Sequence, residues 1–241
     1  MLGFALVGCG RISKRYVGNL TKGRIKGARL VAVCDLVESR AKKVGDEHDI
    51  PNFIDMHEMM QTMKDKIDVV CILTPSGDHA RHTLELAPYG AHIIVEKPMA
   101  LRLEDADRMI ESCDRSGVKL FIVKQNRFNL AVQKLKEAVH SQRFGKIALG
   151  TVRVRWCRDQ QYYDQASWRG TWAHDGGCLA NQAIHHIDLL QWMLGPVESL
   201  YAKTATQLVT IEAEDTGVVV LKFTSGALGV IEATTATRPL D

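Results

Sequence analysis

The chain has 241 residues, enough for one large or two ordinary domains, and its 46% hydrophobic and 24% charged residues suit a globular protein with a substantial core. A formal net charge of +3 without a basic tract argues against nucleic acid as a partner, and no apolar run approaches the length of a membrane span. The six cysteines stand singly, without C-x-x-C pairs or a secretory leader, so a disulfide framework is not expected and a reducing cytoplasm is the natural compartment.

From the N-terminus, Phe4 to Val7 is a short apolar run suited to a strand buried on both faces, and it ends at Gly8-Cys9-Gly10. The glycines let the backbone turn tightly. They also let a pyrophosphate approach the amides that open the next helix, where unpaired N–H groups and the helix dipole favour anions. Ser13 takes the third small position of this fingerprint. A second apolar run, Leu30 to Cys34, ends at Asp35, which lies 25 residues after Gly10, where an acidic side chain meets an adenosine ribose. Asp35 would accept both ribose hydroxyls and repel a 2′-phosphate, which predicts NAD. Arg40, Lys42 and Lys43 lie close enough in sequence to leave NADP open.

Strands and amphipathic helices keep alternating to about residue 124. Val69 to Leu73 reads as a buried strand, followed by the turn Thr74-Pro75-Ser76-Gly77-Asp78 and a helix from His79. Ala91 to Val95 is another strand, ending in Glu96-Lys97-Pro98; Leu103, Ala106, Met109, Ile110 and Cys113 then repeat at helical spacing, and Lys119 to Val123 returns as a strand. The pattern predicts a parallel, doubly wound sheet in an NAD-binding domain over residues 1–124. Thr74, Glu96, Lys97 and Gln125 fall at carboxyl ends of strands, where such sheets bind ligands. Pro98 holds Lys97 extended, and a partly desolvated lysine there has a lowered pKa and accepts a hydroxyl proton as hydride leaves. Glu96 positions that lysine or the nicotinamide ring, or only ends the strand.

After residue 125 the pattern changes, which predicts a second domain over residues 125–241 with a mixed or antiparallel sheet and few helices. A helix carries Ala131, Val132, Leu135, Ala138 and Val139; Thr151 to Trp156 alternates with period two; Gly217 to Phe223 and Ala227 to Thr237 read as a hairpin. The chain stops at Arg238-Pro239-Leu240-Asp241 without a capping helix, so a truncated domain is expected. Asn181, His185 and Asp188 stand at i, i+4 and i+7 on one helical face, beside an apolar stripe of Ile184, Ile187 and Leu194. His185 either relays a proton, oriented by Asp188, or is a structural histidine bonded to a neighbouring carboxylate. His186 lies on another face and reads as structural. A metal hydrolase built on Cys178, His185 and His186 would need a zinc-like spacing that the chain lacks, and no metal is expected. Arg153 and Arg155 project from one face of their strand, with Arg127, Arg158 and Arg169 nearby in sequence. Guanidinium forks suit carboxylates and diphosphates, although paired arginines on a strand also serve as a solvated or subunit-facing surface. Tyr162, Tyr163, Trp168 and Trp172 either stack on sugar or uracil rings or pack internally.

GCGRIS with Asp35, TPSGDH (Thr74 to His79), Glu96-Lys97-Pro98, and Gly176-Gly177 followed by NQAIHHIDLLQW (Asn181 to Trp192) together resemble the Gfo/Idh/MocA oxidoreductases over essentially the whole chain. The resemblance implies a Rossmann domain and a C-terminal α+β domain with an open, mostly antiparallel sheet. It also implies hydride transfer at a sugar or polyol carbon and homodimers or homotetramers. It gives Lys97 and His185 the catalytic roles. It sets NAD against Gly8, Gly10, Arg11, Ile12, Asp35 and Arg40, then Thr74, Pro75, Ser76 and His79, then Glu96, Lys97 and Gln125, with Trp168 and Arg169 from the second domain. Lys97, Arg127, Arg155, Tyr163, Asn181 and His185 fall to the substrate. Many members carry Asp where this chain has Asn181, so an amide that contacts substrate replaces a possible acid. KQNRFN (Lys124 to Asn129), Val152 to Gly177 and NQAIHH most resemble members that oxidise C3 of UDP-N-acetylglucosaminuronate for bacterial surface polysaccharides. This implies a UDP-sugar substrate, while the charge and apolar runs noted above predict neither a nucleic-acid nor a membrane partner. The alternatives are another sugar or polyol dehydrogenase of the same family, such as an inositol-type enzyme, and a dinucleotide-binding regulator that has lost catalysis, against which intact Lys97 and His185 speak.

Overall fold

The computed structural model describes residues 1–238 and divides the chain into two compact units, Met1–Val123 and Lys124 onward. The expectation for the chain end at Pro239-Leu240-Asp241 lies outside the described residues.

The first unit runs β1 (Leu2–Val7), α1 (Ser13–Thr21), β2 (Ala28–Cys34), α2 (Glu38–His48), β3 (Asn52–Phe53), α3 (Met56–Thr62), β4 (Val69–Ile72), α4 (His79–Leu86), β5 (His92–Val95), α5 (Leu103–Arg115) and β6 (Leu120–Ile122). The strands lie in the order β3-β2-β1-β4-β5-β6 and all pair in parallel, which is the expected doubly wound sheet. Winding reverses between β1 and β4, so the crevice beyond their carboxyl ends is where this architecture binds ligands. Both faces of the sheet are covered. Ala5 and Val7 belong to the core under α3, α4 and α5, whereas Leu6 packs with Val17 and Leu20 of α1. Strands buried on two sides read as continuous apolar runs, and all four residues of β4 are indeed buried.

Two helical details differ from expectation. On α5, Leu103 and Ile110 are exposed, and the helix packs through the narrower stripe of Met109, Ser112 and Cys113. The short α3 was not anticipated, although it carries an N-terminal signature: Asp55 caps it by accepting from the Glu58 N–H at 2.7 Å, and Met56, Met59 and Met60 are buried at i, i+3 and i+4.

The second unit contains α6 (Leu130–His140), β7 (Leu149–Arg155), α7 (Gln160–Asp164), α8 (Ile184–Leu194), β8 (Val197–Ala205), β9 (Thr216–Phe223) and β10 (Leu228–Thr234). Its sheet has the order β7-β10-β9-β8, and β9 and β10 form the expected hairpin. The pairs β10–β9 and β8–β9 are antiparallel, but β10–β7 is parallel, so the sheet is mixed. Strand β8 was missed because eight of its nine residues are exposed and no clean alternation marks it. One face of the sheet holds Val154, Val219, Leu221, Phe223, Ile231 and Ala233 against Leu190 and Ala183, with Ile187 and Leu194 of α8 packed on them. Helix α8 comes so close to β7 that a Cβ on Gly150 would lie 2.8 Å from Leu190 and from Leu194. The opposite face exposes Leu149, Val218, Val220 and Leu228. Among the described residues, no helix is long and apolar enough to cross a membrane, and all six cysteines are free.

Candidate active site

In the first unit the chain leaves β1 at Gly8, whose φ of 105° suits glycine. Its missing Cβ would also sit 2.9 Å from the Leu73 backbone. A Cβ on Gly10 would meet nothing within 4 Å, so the turn presents open backbone there. Buried Ser13 donates its hydroxyl to the Gly10 carbonyl at 2.6 Å and holds that turn. Helix α1 then begins after Ile12 without a side-chain cap, the kind of helix start that favours an anion. At the end of β2, Asp35 accepts the Cys9 N–H through Oδ2 at 2.7 Å and the Val37 N–H through Oδ1 at 2.8 Å. This clasp joins the two carboxyl ends that should face a dinucleotide. Burial and the Asp35 charge push the Cys9 thiol up to about 12, so Cys9 stays protonated. Arg11 and Arg40 are exposed.

The second group of predicted cofactor residues surrounds the ends of β4 and β5. Thr74 Oγ1 lies 3.0 Å from Nδ1 of His82. Ser76 and His79 are buried, and both His79 nitrogens lie on backbone carbonyls: Nδ1 is 2.7 Å from Pro98 O and Nε2 is 3.0 Å from Thr74 O. His79 therefore holds two loops, where the resemblance had given it to the cofactor. Glu96 accepts the Tyr16 hydroxyl at 2.9 Å and the Lys97 N–H at 3.2 Å. Tyr16 was not singled out in the sequence, since an aromatic residue on an amphipathic helix reads as packing. The open glycine turn, the uncapped helix start and the anchored Asp35 carboxylate fit a dinucleotide: the turn and α1 would hold the pyrophosphate and Asp35 the ribose.

In the second unit the structure revises several assignments. Asn181 lies in a π-helical turn, Cys178–Gln182, ahead of α8, so it does not share one regular helical face with His185 and Asp188. Asp188 was expected to orient His185; its carboxylate instead accepts from Nε and Nη2 of Arg127, both at 2.7 Å. Arg127, expected to contact substrate, spends its fork on that pair and stacks 5.2 Å from the Trp192 ring. His185 Nε2 lies 3.1 Å from the Gln125 amide nitrogen. With the amide donating, the neutral ring accepts there and carries its proton on Nδ1.

Arg155 is also reassigned. Alternation along β7 puts Arg153 and Arg155 on the exposed face, opposite Val152 and Val154, and both bind Glu232 of β10, at 3.3 and 2.8 Å. Tyr163 is buried to 6% exposure, its hydroxyl 3.2 Å from Thr235 Oγ1, so it belongs to the core. Its neighbour Tyr162 is only half-buried. Arg158 stacks 4.8 Å and Arg169 4.4 Å from the Tyr162 centroid, while Trp156 and Trp168 flank the two guanidinium groups. The Nε atoms of both arginines are buried without an acceptor among the described residues. Gln182 donates to the Tyr162 hydroxyl at 3.2 Å and to Asn181 Oδ1 at 3.4 Å, and Asn181 donates to buried Asp175. One network thus runs from the arginine pair to Asn181. Gln182 and Asp175 escaped the sequence reading because nothing in their local spacing distinguishes them from loop residues.

Among the described residues no three His, Cys, Asp or Glu side chains gather as a metal site. His186 packs edge-on to Trp156 with ring centroids 6.0 Å apart, and burial lowers its pKa.

Comparison with known proteins agrees with this architecture. Residues 2–124 match the model of the oxidoreductase family with an NAD-binding Rossmann fold, and residues 132–240 match the GFO/IDH/MocA C-terminal domain. The WlbA dehydrogenase from Bordetella pertussis, solved in complex with NADH and UDP-GlcNAcA, is 46% identical with a TM-score of 0.94, over 99% of this chain and 73% of that one. The WlbA dehydrogenase from Chromobacterium violaceum, also with NADH and UDP-GlcNAcA, is 44% identical with a TM-score of 0.93, over 99% and 68%. Myo-inositol 2-dehydrogenase of Thermotoga maritima is 31% identical over 94% of this chain and 66% of its own length. The chain spans 60–66% of the length of this and two further curated relatives. The first unit is an NAD-binding Rossmann domain, and the chain belongs to the Gfo/Idh/MocA family of oxidoreductases.

Proposed function

We propose that the protein is an NAD-dependent dehydrogenase that oxidises the C3 hydroxyl of UDP-N-acetylglucosaminuronate to the 3-keto sugar, in the cytoplasm, for bacterial surface polysaccharide synthesis. The observation that carries the reading is the pair of guanidinium groups, Arg158 and Arg169, gathered on Tyr162. Two guanidinium groups side by side suit an anionic ligand such as a diphosphate or a uronate carboxylate. The likeness to two dehydrogenases solved with UDP-GlcNAcA supports the same substrate.

In this reading residues 1–124 bind NAD, residues 125–241 bind the sugar nucleotide, and the chain assembles as a homodimer or homotetramer. Bound NAD supplies the hydride acceptor. Lys97, as the free amine, accepts the C3 hydroxyl proton as hydride leaves that carbon, and His185 passes the proton on or orients the hydroxyl. Asn181 holds the sugar through its amide. Arg158 and Arg169 grip the anionic part, replacing Arg155 and Arg127 in that task.

The test compares kcat/KM for UDP-N-acetylglucosaminuronate, UDP-N-acetylglucosamine, myo-inositol and glucose, read as NADH formation. The uronate should be the best substrate, and Arg158→Ala should lower its kcat/KM by about 10–100-fold, the scale of a hydrogen bond to a charged group. Lys97→Ala should lower kcat by about 10²–10⁴ while NAD binding stays intact. A larger loss in His185→Ala would make the histidine the base. The likeness to myo-inositol 2-dehydrogenase favours a second reading, a polyol dehydrogenase. Inositol turnover at least as efficient as that of the uronate would establish it.

A further inference from the structure

His79 sits beneath the turn that carries Lys97. The ring is 1% exposed, and each nitrogen faces a backbone carbonyl: Pro98 O at 2.7 Å from Nδ1 and Thr74 O at 3.0 Å from Nε2. A carbonyl oxygen only accepts, so a neutral ring donates to one of the two and a protonated ring to both. Thr83 donates its hydroxyl to the His79 main-chain carbonyl at 2.8 Å, one turn along α4, and so ties the backbone that carries the ring. Pro98 follows Lys97 directly. The other side of the same turn is tied by Glu96, which accepts both Tyr16 Oη and the Lys97 N–H.

We propose that His79 is a positioning residue for Lys97: its imidazole, carried at the start of α4 directly after the Thr74 turn, donates to the Pro98 carbonyl and so sets where the Lys97 backbone leaves β5. This rests on the proposed role of Lys97 as the base. A lysine on a flexible stem finds a hydroxyl reproducibly only if its Cα is fixed, and a misplacement of about 1 Å costs on the order of a hundredfold in rate. Thr74 and Lys97 stand at the ends of β4 and β5, so one buried ring keeps two neighbouring strand ends in register beyond the sheet.

The ionisation state decides which contact dominates. Burial lowers the His79 pKa, against the pull of the Pro98 and Thr74 carbonyls and the charges of Glu96 and Asp78. His82, on the same helix, is itself held down to about 4 by burial and Arg81 and is uncharged near neutral pH. The neutral ring has one N–H, and the shorter contact assigns it to Pro98.

Three variants of the purified protein test this. His79→Phe keeps an aromatic ring and removes the donor, His79→Asn puts an amide N–H near the Nδ1 position, and His79→Gln puts one near Nε2. NAD affinity, kcat and KM are measured for each. The titration of the Lys97 amine is followed, without turnover, by NMR of isotopically methylated lysines, assigned through Lys97→Arg. We expect His79→Phe to lose about 10–100-fold in kcat with NAD affinity retained and the Lys97 titration shifted, and His79→Asn, not His79→Gln, to recover both. An unchanged kcat and Lys97 titration in His79→Phe overturns the proposal, as does equal recovery by His79→Gln or a loss of NAD affinity as large as the loss of kcat. If the unmodified protein oxidises no sugar, the proposed function fails while the Lys97 titration still decides the role of His79. If His79→Phe does not fold, the contrast between His79→Asn and His79→Gln decides it.

Discussion

At Asp35 each carboxylate oxygen already holds a backbone N–H, from Cys9 and Val37, and each retains capacity to accept a ribose hydroxyl. The charge is therefore fixed in place before a ligand arrives, which lowers the cost of binding. Asp35→Ala should raise the NAD dissociation constant by about 10–100-fold, equivalent to ~1.5–3 kcal/mol for hydrogen bonds to a charged group. Asp35→Asn keeps the shape but drops the charge that repels a 2′-phosphate, so NADP should gain on NAD. Calorimetry with both nucleotides checks this, and an unchanged preference in Asp35→Asn would show that the carboxylate does not select the cofactor. Adjacent residues can differ completely at this scale. Tyr162 and Tyr163 are neighbours in α7, yet one carries two stacked guanidinium groups while the other is sealed against Thr235.

The π-helical turn Cys178–Gln182 is the element on which the second unit's site depends, and it is anchored from below. The Glu214 carbonyl accepts the Cys178 N–H at 2.8 Å, and Glu214 Oε1 accepts the Leu179 N–H at 2.9 Å. A methyl group on Gly177 would overlap the Glu214 carboxylate. Gly177→Ala should therefore destabilise the fold by about 1–3 kcal/mol, as overpacking does, and denaturant unfolding measures it. Burial pushes the Glu214 carboxyl up, so the folded chain keeps this proton at pH values where the unfolded chain has lost it. The resulting stability is complete below the ordinary carboxylate range and declines as pH rises from that range to the raised value. Glu214→Gln retains the acceptor for Leu179, so it should raise Tm above that window and change little below it. A Tm difference that is constant with pH would refute this linkage. Helix α8 has its own anchor in the Arg127 fork on Asp188, and Asp188→Asn should cost about 2–3 kcal/mol by leaving the guanidinium half-paired.

For the molecule as a whole, the outer face of the four-stranded sheet is the feature with most consequence. Leu149, Val218, Val220, Leu228 and Tyr201 are each about half exposed or more, and Arg153 and Arg155 pair with Glu232 among them. An apolar sheet face of this kind is a natural subunit contact, which agrees with the proposed homo-oligomer and with the subunit-facing alternative for the two arginines. Val220→Glu should shift sedimentation toward the monomer. A wild-type protein that sediments as a monomer at every concentration would remove the oligomer from the proposed function.

The doubly wound sheet and its dinucleotide turn were readable in the chain because they are local. Strands buried on both faces must be continuously apolar, a tight turn near an anion needs glycine, and Asp35 ends its strand at a fixed distance in sequence. The motifs around Glu96-Lys97-Pro98 and Asn181 to Trp192 likewise carried the family. What the linear chain left open were choices between chemically equivalent groups. Five arginines could have met an anion, and only the fold shows that Arg127 is committed to Asp188, that Arg153 and Arg155 share Glu232, and that Arg158 and Arg169 stack on Tyr162. Helical periodicity put Asn181 in line with His185, but a π turn follows a different period, and the contacts that impose it come from Glu214, 36 residues after the Cys178 it anchors. Partner choice over such separations is settled by packing and burial, which is why it belongs to the tertiary structure.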